Sequence, residues 1–326
     1  MRDTGVDHEV ISDAVWLACR APSLYNSQPW RWVVDTAGVE LFADPDRAPT
    51  RTDTSGREVL LACGAVLDHF RVAMAAAGWT TYVDTFPNPN NLDHVATIGC
   101  DRMDFVTDGH RERADAILRR RSDRLPMLAP TQWAAARERF AAHGGRDVRV
   151  DALPRASRRE LAQASALTAS ARLYDSSYHA ELLGWTADVV VAEGIPASSL
   201  VTAGENDRVD IGRRFPTVGH HDRRTEIAED QAEVVALSTF DDARHSVLRC
   251  GEALSAVLLD ATMAGLATCP LTHITEVPAS REIIAGLIGG RALPQVLVRV
   301  GVAPGDEELV PPTPRRPLDD VLEFRG

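Results

Sequence analysis

One stretch of this sequence occurs twice, and it limits the fold more than anything else in the chain. Cys63-Gly64-Ala65-Val66-Leu67 is echoed by Cys250-Gly251-Glu252-Ala253-Leu254, and 250 minus 63 gives an offset of 187 residues. Ala77-Gly78 and Ala264-Gly265 keep that offset. Each copy lies in an apolar pattern at helical spacing and closes on a glycine suited to a left-handed cap. Helix length, apolar face and terminal glycine match without a gap. The chain is therefore read as two related α+β halves in tandem, residues 1–110 and 111–326, against chance likeness between two Ala- and Leu-rich helices. A length of 326 residues accommodates two ordinary domains or one large one.

Around the predicted helices 57–77 and 247–264, the remaining pattern supplies strands. Residues 30–34 and 39–42 alternate about Thr36-Ala37-Gly38 as a hairpin, and 80–86, 95–98, 234–239 and 295–301 read as further strands. Residues 8–20, 111–120, 131–143 and 155–183 read as helices. Residues 193–224 break the order. They hold Gly194, Pro196, Gly204, Gly212, Pro216 and Gly219 with little periodicity, and read as a long excursion of the kind that serves as a lid or binding loop.

Charge and composition exclude several functions. The net charge of −12 argues against nucleic acid or an anionic membrane as partner. All 35 basic residues are arginine, which removes a P-loop lysine, a Schiff-base lysine and a Ser-x-x-Lys nucleophile. Any anion must be held by arginine, backbone N–H or polar side chains, and the planar guanidinium suits phosphate. Five cysteines without a C-x-x-C fit a reducing cytoplasm. The start of the chain is polar and acidic, unlike a signal peptide. Apolar runs such as 189–191 and 253–259 are too short to span a bilayer.

Four segments could carry chemistry. In residues 20–32, Pro22 and Pro29 bracket Ser23, Asn26, Ser27 and Gln28 before a strand that starts at Trp30. This is either a rigid loop presenting hydrogen-bonding groups or a helix-to-strand turn capped by Ser and Asn. Arg120, Ser122 and Arg124 alternate after a helix end, so on an extended segment they share one face. They form either a dianion-binding surface or a solvated basic patch. Arg315-Arg316 lies near the C-terminus and could converge on the same phosphate. Residues 265–273 read as a small-residue loop ending at His273, an acid–base candidate or a structural histidine. His220-His221-Asp222 lacks the partners of a metal site.

These segments carry a family resemblance. Ala21-Pro22-Ser23-x-x-Asn26-x-Gln28-Pro29-Trp30 resembles the A-P-S-x-x-N-x-Q-P-W signature of FMN-dependent nitroreductases. Arg120-Arg121-Ser122-Asp123-Arg124 is similar to their R-R-S-x-R phosphate motif, Gly265-Leu266-Ala267-Thr268 to their G-L-G-[ST] helix end, and Arg315-Arg316-Pro317 with Val321 to their R-x-P-x-x-x-V tail. Blocks 55–74 and 173–181 look like the Acg-type, dormancy-associated branch. The resemblance implies a nitroreductase-like fold duplicated in one chain, each half with a helix-flanked mixed or antiparallel sheet, imitating a homodimer as a monomer.

Carried over by residue, it implies that Arg120, Ser122, Arg124, Arg315 and Arg316 bind the FMN phosphate and ring edge. Pro22, Ser23, Asn26 and Gln28 would line the isoalloxazine, and Leu271 and Thr272 would bring backbone to it. Each half lacks a motif that the other keeps, so one flavin per chain is expected. The inserted 193–224 segment leaves two readings. One is a NAD(P)H-dependent reductase of nitroaromatics or quinones; the other is a degenerate protein that stores FMN beneath a lid. A cofactor-free interaction module is a third class.

Overall fold

The structure, a computed structural model, describes residues 5–35, 38–187, 192–305 and 311–325. The expected turn at 36–37, the apolar run 189–191 and tail residues 306–310 lie outside the described residues. The strands are β1 (Trp30–Asp35), β2 (Gly38–Ala43), β3 (Trp79–Thr85), β4 (His94–Arg102), β5 (Val148–Ala152), β6 (Glu233–Thr239), β7 (Ala267–Leu271), β8 (Leu293–Gly301) and β9 (Leu322–Phe324). The helices are α1 (His8–Ala18), α2 (Arg57–Ala76), α3 (Asp108–Arg119), α4 (Trp133–Ala141), α5 (Arg158–Arg172), α6 (Ser176–Gly184), α7 (Ala203–Asp207), α8 (Arg244–Met263), α9 (His273–Glu276) and α10 (Pro278–Leu287).

The strands form two sheets, ordered β3-β4-β2-β1-β9 and β5-β6-β8-β7. Taken through the repeat, β3-β4-β2-β1 and β7-β8-β6-β5 are the same arrangement, which bears out the duplicated α+β reading. Neighbours pair antiparallel, except that β9 joins the edge of β1 in parallel, with Trp32 opposite Leu322. The C-terminal tail therefore returns to the first sheet.

The two long helices of the repeat pack on each other through equivalent positions. A Cβ on Gly64 would lie 2.1 Å from the Leu248 carbonyl oxygen, and one on Gly251 would lie 2.2 Å from that of Leu61. No side chain fits there, so the repeated glycine is the condition for contact. Four residues on, Ser255 donates to Asp68 Oδ2 at 2.6 Å across the same interface, again between positions 187 apart. Matching patches meeting each other is the geometry of a two-fold dimer contact, here within one chain. By length and composition α2 is apolar enough to cross a bilayer, but it is the buried core helix between α8 and the first sheet.

Several elements differ from the sequence reading. Residues 267–271, expected as loop, form β7; it is an edge strand, where Pro270 can sit without breaking a ladder. β5, α9 and α10 are short elements of 5, 4 and 10 residues that the sequence reading did not include. The expected 155–183 helix divides into α5 and α6 because Asp175 caps a new start, accepting from Tyr178 N at 3.0 Å.

Candidate functional site

The polar turn after α1 is strained, and the side chains of Ser23, Asn26 and Gln28 are all employed. Tyr25, Asn26 and Gln28 take φ of +54°, +58° and +51°, a left-handed region that non-glycine residues seldom adopt. Pro22 and Pro29 bracket this conformation, and Ser23 Oγ accepts from Gln28 N at 3.0 Å. Asn26 Nδ2 donates to the carbonyls of Gly194 and Pro314, both at 3.1 Å. Gln28 Nε2 donates to the Ala192 carbonyl at 2.9 Å, and its Oε1 accepts from Arg316 N at 3.0 Å. The turn thus fastens the 193–224 excursion and the C-terminal tail to the first half. Strain of this kind persists where surrounding contacts over-determine it.

Beside the turn lies a cleft rich in arginine. Residues 120–124 are extended, Ser122 bridges Thr268 of β7, and Asp123 N donates to the Thr268 carbonyl at 2.8 Å. This fixes Arg120, Ser122 and Arg124 along the cleft wall, joined by Arg20, Asn26 and Arg315. Arg120 is buried and donates Nη2 to the Arg20 carbonyl at 3.1 Å, while its Nε and Nη1 have no partner among the described residues. Burial and then the charge of Arg20 push Arg120 down to about 10. Burial, Arg120 and Arg20 push Arg315 down to about 9. By contrast, Arg223 is answered by Glu205 and Arg224 by Asp123. Like charges held together in a buried place, with donors left over, form a cradle for an anion.

The cleft continues into an apolar chamber of about 970 Å³ including its mouth, and Pro22, Ser23, Ser122 and Arg124 border both. Its walls come from three regions. The turn gives Pro22 and Tyr25, the helix pair gives Glu58, Leu61 and Leu254, and β7 with its following residues gives Leu271, Thr272 and His273. The excursion supplies the remaining side with Ile195, Val209, Arg213 and Phe215. It is pinned at two points. Arg213 pairs with Glu276 and donates to Tyr25 Oη at 2.9 Å and Tyr178 Oη at 3.2 Å. Arg224 donates to Asp123 Oδ2 at 2.7 Å and the Pro126 carbonyl at 3.1 Å.

Nine of the residues expected at the site border this composite space: Pro22, Ser23, Asn26, Arg120, Ser122, Arg124, Leu271, Thr272 and Arg315. Gln28 and Arg316 do not. Gln28 is buried behind the turn, its amide spent on the excursion and tail. Arg316 donates Nη2 to the Asp320 carbonyl at 2.7 Å and faces Asp44, so it locks the tail to the first sheet. Arg315 also donates to the carbonyls of Cys19, Arg20, Thr313 and Pro314. Burial and then Arg213 hold His273 well below the usual histidine range; its Nε2 lies 3.0 Å from Ser165 Oγ, so it is a neutral wall residue. Asp222, of the His220-His221-Asp222 run, accepts from Thr202 Oγ1 at 2.5 Å.

Sequence reasoning missed Arg20, Glu58, Arg213 and Phe215. Arg213 and Phe215 sit in a segment without periodicity, and Glu58 follows the helix pattern, so no local signal marks them.

No family model matches the chain. A Mycobacterium tuberculosis protein named "Putative NAD(P)H nitroreductase acg" is 60% identical, covering 100% of this chain and 99% of its own length. A second protein of that organism, "Putative NAD(P)H nitroreductase Rv3131", is 38% identical over 98% of this chain and 92% of its own. Among solved structures, the FMN-dependent nitroreductase NfnB from Mycobacterium smegmatis in complex with NADPH is 14% identical, covers 66% of this chain and 99% of its own, and superposes with a TM-score of 0.40.

Proposed function

This chain belongs to the Acg branch of the nitroreductase family, and from that premise we propose that it binds one FMN in the composite cleft and acts as a NAD(P)H-dependent oxidoreductase. The observation that carries the reading is Arg120, which lies in the cleft with Arg315 and Ser122 and whose buried Nε and Nη1 have no partner among the described residues. A phosphate dianion matches both the free donors and the uncompensated charge. Arg120, Ser122 and Arg315 would hold it, with Arg124 at the junction to the ring chamber. Pro22, Ser23 and Tyr25 on one side and Leu271 and Thr272 on the other would hold the ring system. When bound, FMN would accept hydride from a reduced nicotinamide and pass electrons to a nitroaromatic or quinone. The protein's share is to orient it, supply donors to developing negative charge, and exclude water.

A single site per chain fits the repeat. The positions equivalent to Glu58 and Thr272 are His245 and Thr85, whose Nδ1 and Oγ1 lie 3.1 Å apart. Phe86 beside them packs against both major apolar clusters, so side chains take the space there. The reading includes a monomer that imitates a dimer, with halves 1–110 and 111–326, in the reducing cytoplasm, where five free buried cysteines would stay reduced.

One observation favours a second reading, an FMN-storing protein. The excursion walls one side of the chamber and is pinned there by Arg213 and Arg224, which narrows the approach of a nicotinamide to the ring. The two readings separate on turnover. FMN uptake is followed by absorbance, and NADH and NADPH consumption with a nitroaromatic is measured for the full chain and for a variant with 195–222 replaced by a short linker. Turnover by the full chain supports the reductase. Activity only in the shortened variant supports storage. A chain that takes up no FMN refutes both.

A further inference from the structure

Among the described residues, Glu58 alone borders both the apolar chamber and a second, polar cleft. That cleft holds about 890 Å³ including its mouth and is lined by Asp53, Arg57, Asp242, Thr275, Glu276 and Arg281 among others; none of its lining residues belongs to 193–224. The buried Glu58 side chain is the partition between the chamber and this second opening to solvent.

The groups around this carboxyl leave it the least satisfied acid of three. Asp53, in the loop before α2, accepts from the backbone N–H of Glu58 at 2.9 Å and Val59 at 3.0 Å. Glu276, on α9, is paired with Arg213 of the excursion. Glu58 has Arg57, but Arg57 directs Nη1 to the Gln295 carbonyl at 2.5 Å and Nη2 to Thr275 Oγ1 at 2.8 Å, and reaches Glu58 Oε1 only at 3.5 Å. Arg57 and Arg213 favour the carboxylate, but burial and the acids Glu276 and Asp53 outweigh them, so this carboxyl keeps its proton. Burial and then Glu276 push it up to about 8, close to where a proton can be both given and regained.

We propose that Glu58 is the proton port of the chamber: its carboxyl gives a proton to a group being reduced inside and recovers one from water in the polar cleft. The inference rests on the oxidoreductase reading above. A hydride from a reduced nicotinamide brings two electrons and one hydrogen nucleus, so a two-electron, two-proton reduction lacks one proton. The Glu58 O–H bond breaks as the acceptor's new bond to hydrogen forms. The carboxylate left behind takes a proton from a water in the cleft, and bulk solvent restores that water. Protons thus enter without movement of the pinned excursion, and Arg57 and Arg213 steady the transient carboxylate.

The test uses the full-length, FMN-loaded protein and dithionite, a reductant that supplies electrons alone. Stopped-flow reduction of the flavin is followed between about pH 6 and about pH 10, where the wild-type rate should fall above about pH 8. Glu58→Gln should be slower by about tenfold or more near neutrality and lose that profile, and Glu58→Asp should restore it. Carbon-13 titration of labelled glutamates in the FMN-free chain should show one carboxyl titrating near pH 8, absent in Glu58→Gln. A yellow protein whose rate ignores both pH and Glu58→Gln refutes the port alone. Should Glu58→Gln fail to fold, a pH-independent wild-type rate, or no glutamate titrating above the usual carboxyl range, refutes it equally. A wild-type chain that takes up no FMN refutes the mononucleotide reading and the port with it.

Discussion

Arg120→Met separates a ligand site from a structural arginine because the two predict opposite signs. In the FMN-free chain, the Arg120 guanidinium is buried beside Arg20 and Arg315 and, among the described residues, makes one hydrogen bond, to the Arg20 carbonyl. A base whose folded-state pKa is lowered disfavours folding at every pH where it is charged. That cost is full below about pH 10 and is relieved only as pH rises from there toward the ordinary arginine value. An assay at neutral pH therefore sees all of it, roughly 3 kcal/mol at 1.36 kcal/mol per unit. Methionine fills similar volume without charge or unpaired donors, and gives up one neutral-acceptor bond of about 1 kcal/mol. The FMN-free variant should gain about 1–3 kcal/mol in urea unfolding. Its FMN affinity should fall by about 3 kcal/mol, roughly a hundredfold, since charge-assisted contacts to phosphate are lost. Fluorescence quenching on titration with FMN measures the second quantity. A destabilised fold with unchanged FMN affinity would show that Arg120 serves the structure and that the phosphate site has been misplaced.

Two further outcomes follow from buried contacts. Gly64→Ala sets a methyl 2.1 Å from a backbone oxygen of α8, so urea unfolding should show a loss of about 3 kcal/mol, at the upper end of overpacking costs. Asp230 accepts from Arg299 Nε at 3.0 Å and Nη2 at 2.7 Å beneath the chamber; burial alone would raise its pKa, but Arg299, helped by Met127 N and Arg158, outweighs it and holds the carboxyl below the usual range. This stability is therefore present above the unfolded carboxyl value and is lost as pH falls through the folded one. Asp230→Asn should cost about 3–5 kcal/mol at neutral pH by leaving Arg299 buried and unpaired, with a flatter decline in acid.

Legibility was uneven for physical reasons. The 187-residue offset between Cys63-Gly64 and Cys250-Gly251 was readable because helix patterns are local, and the glycines proved to be where α2 and α8 touch. The alternation of Arg120, Ser122 and Arg124 was readable because period two survives in an extended segment, here held against β7. Arg316 misled for a geometric reason. Adjacent residues on an extended tail point to opposite sides, so Arg315 reaches the cleft and Arg316 turns to Asp44 and Asp320. Residues 267–271 misled because a proline at a sheet edge looks like a proline in a loop.

By itself, the sequence determined the two-fold repeat, the absence of lysine chemistry, the nitroreductase motifs and the alternation of Arg120, Ser122 and Arg124, all features carried by spacing within short segments. The tertiary structure alone decided that Asn26 and Gln28 fasten the excursion and tail, that Arg213 and Glu276 pin the excursion, and that Glu58 stands between two cavities. Those roles join residues far apart along the chain, up to 288 positions for Asn26 and Pro314. Burial, charge pairing and shared walls exist only once distant segments are brought together, and no local pattern encodes them.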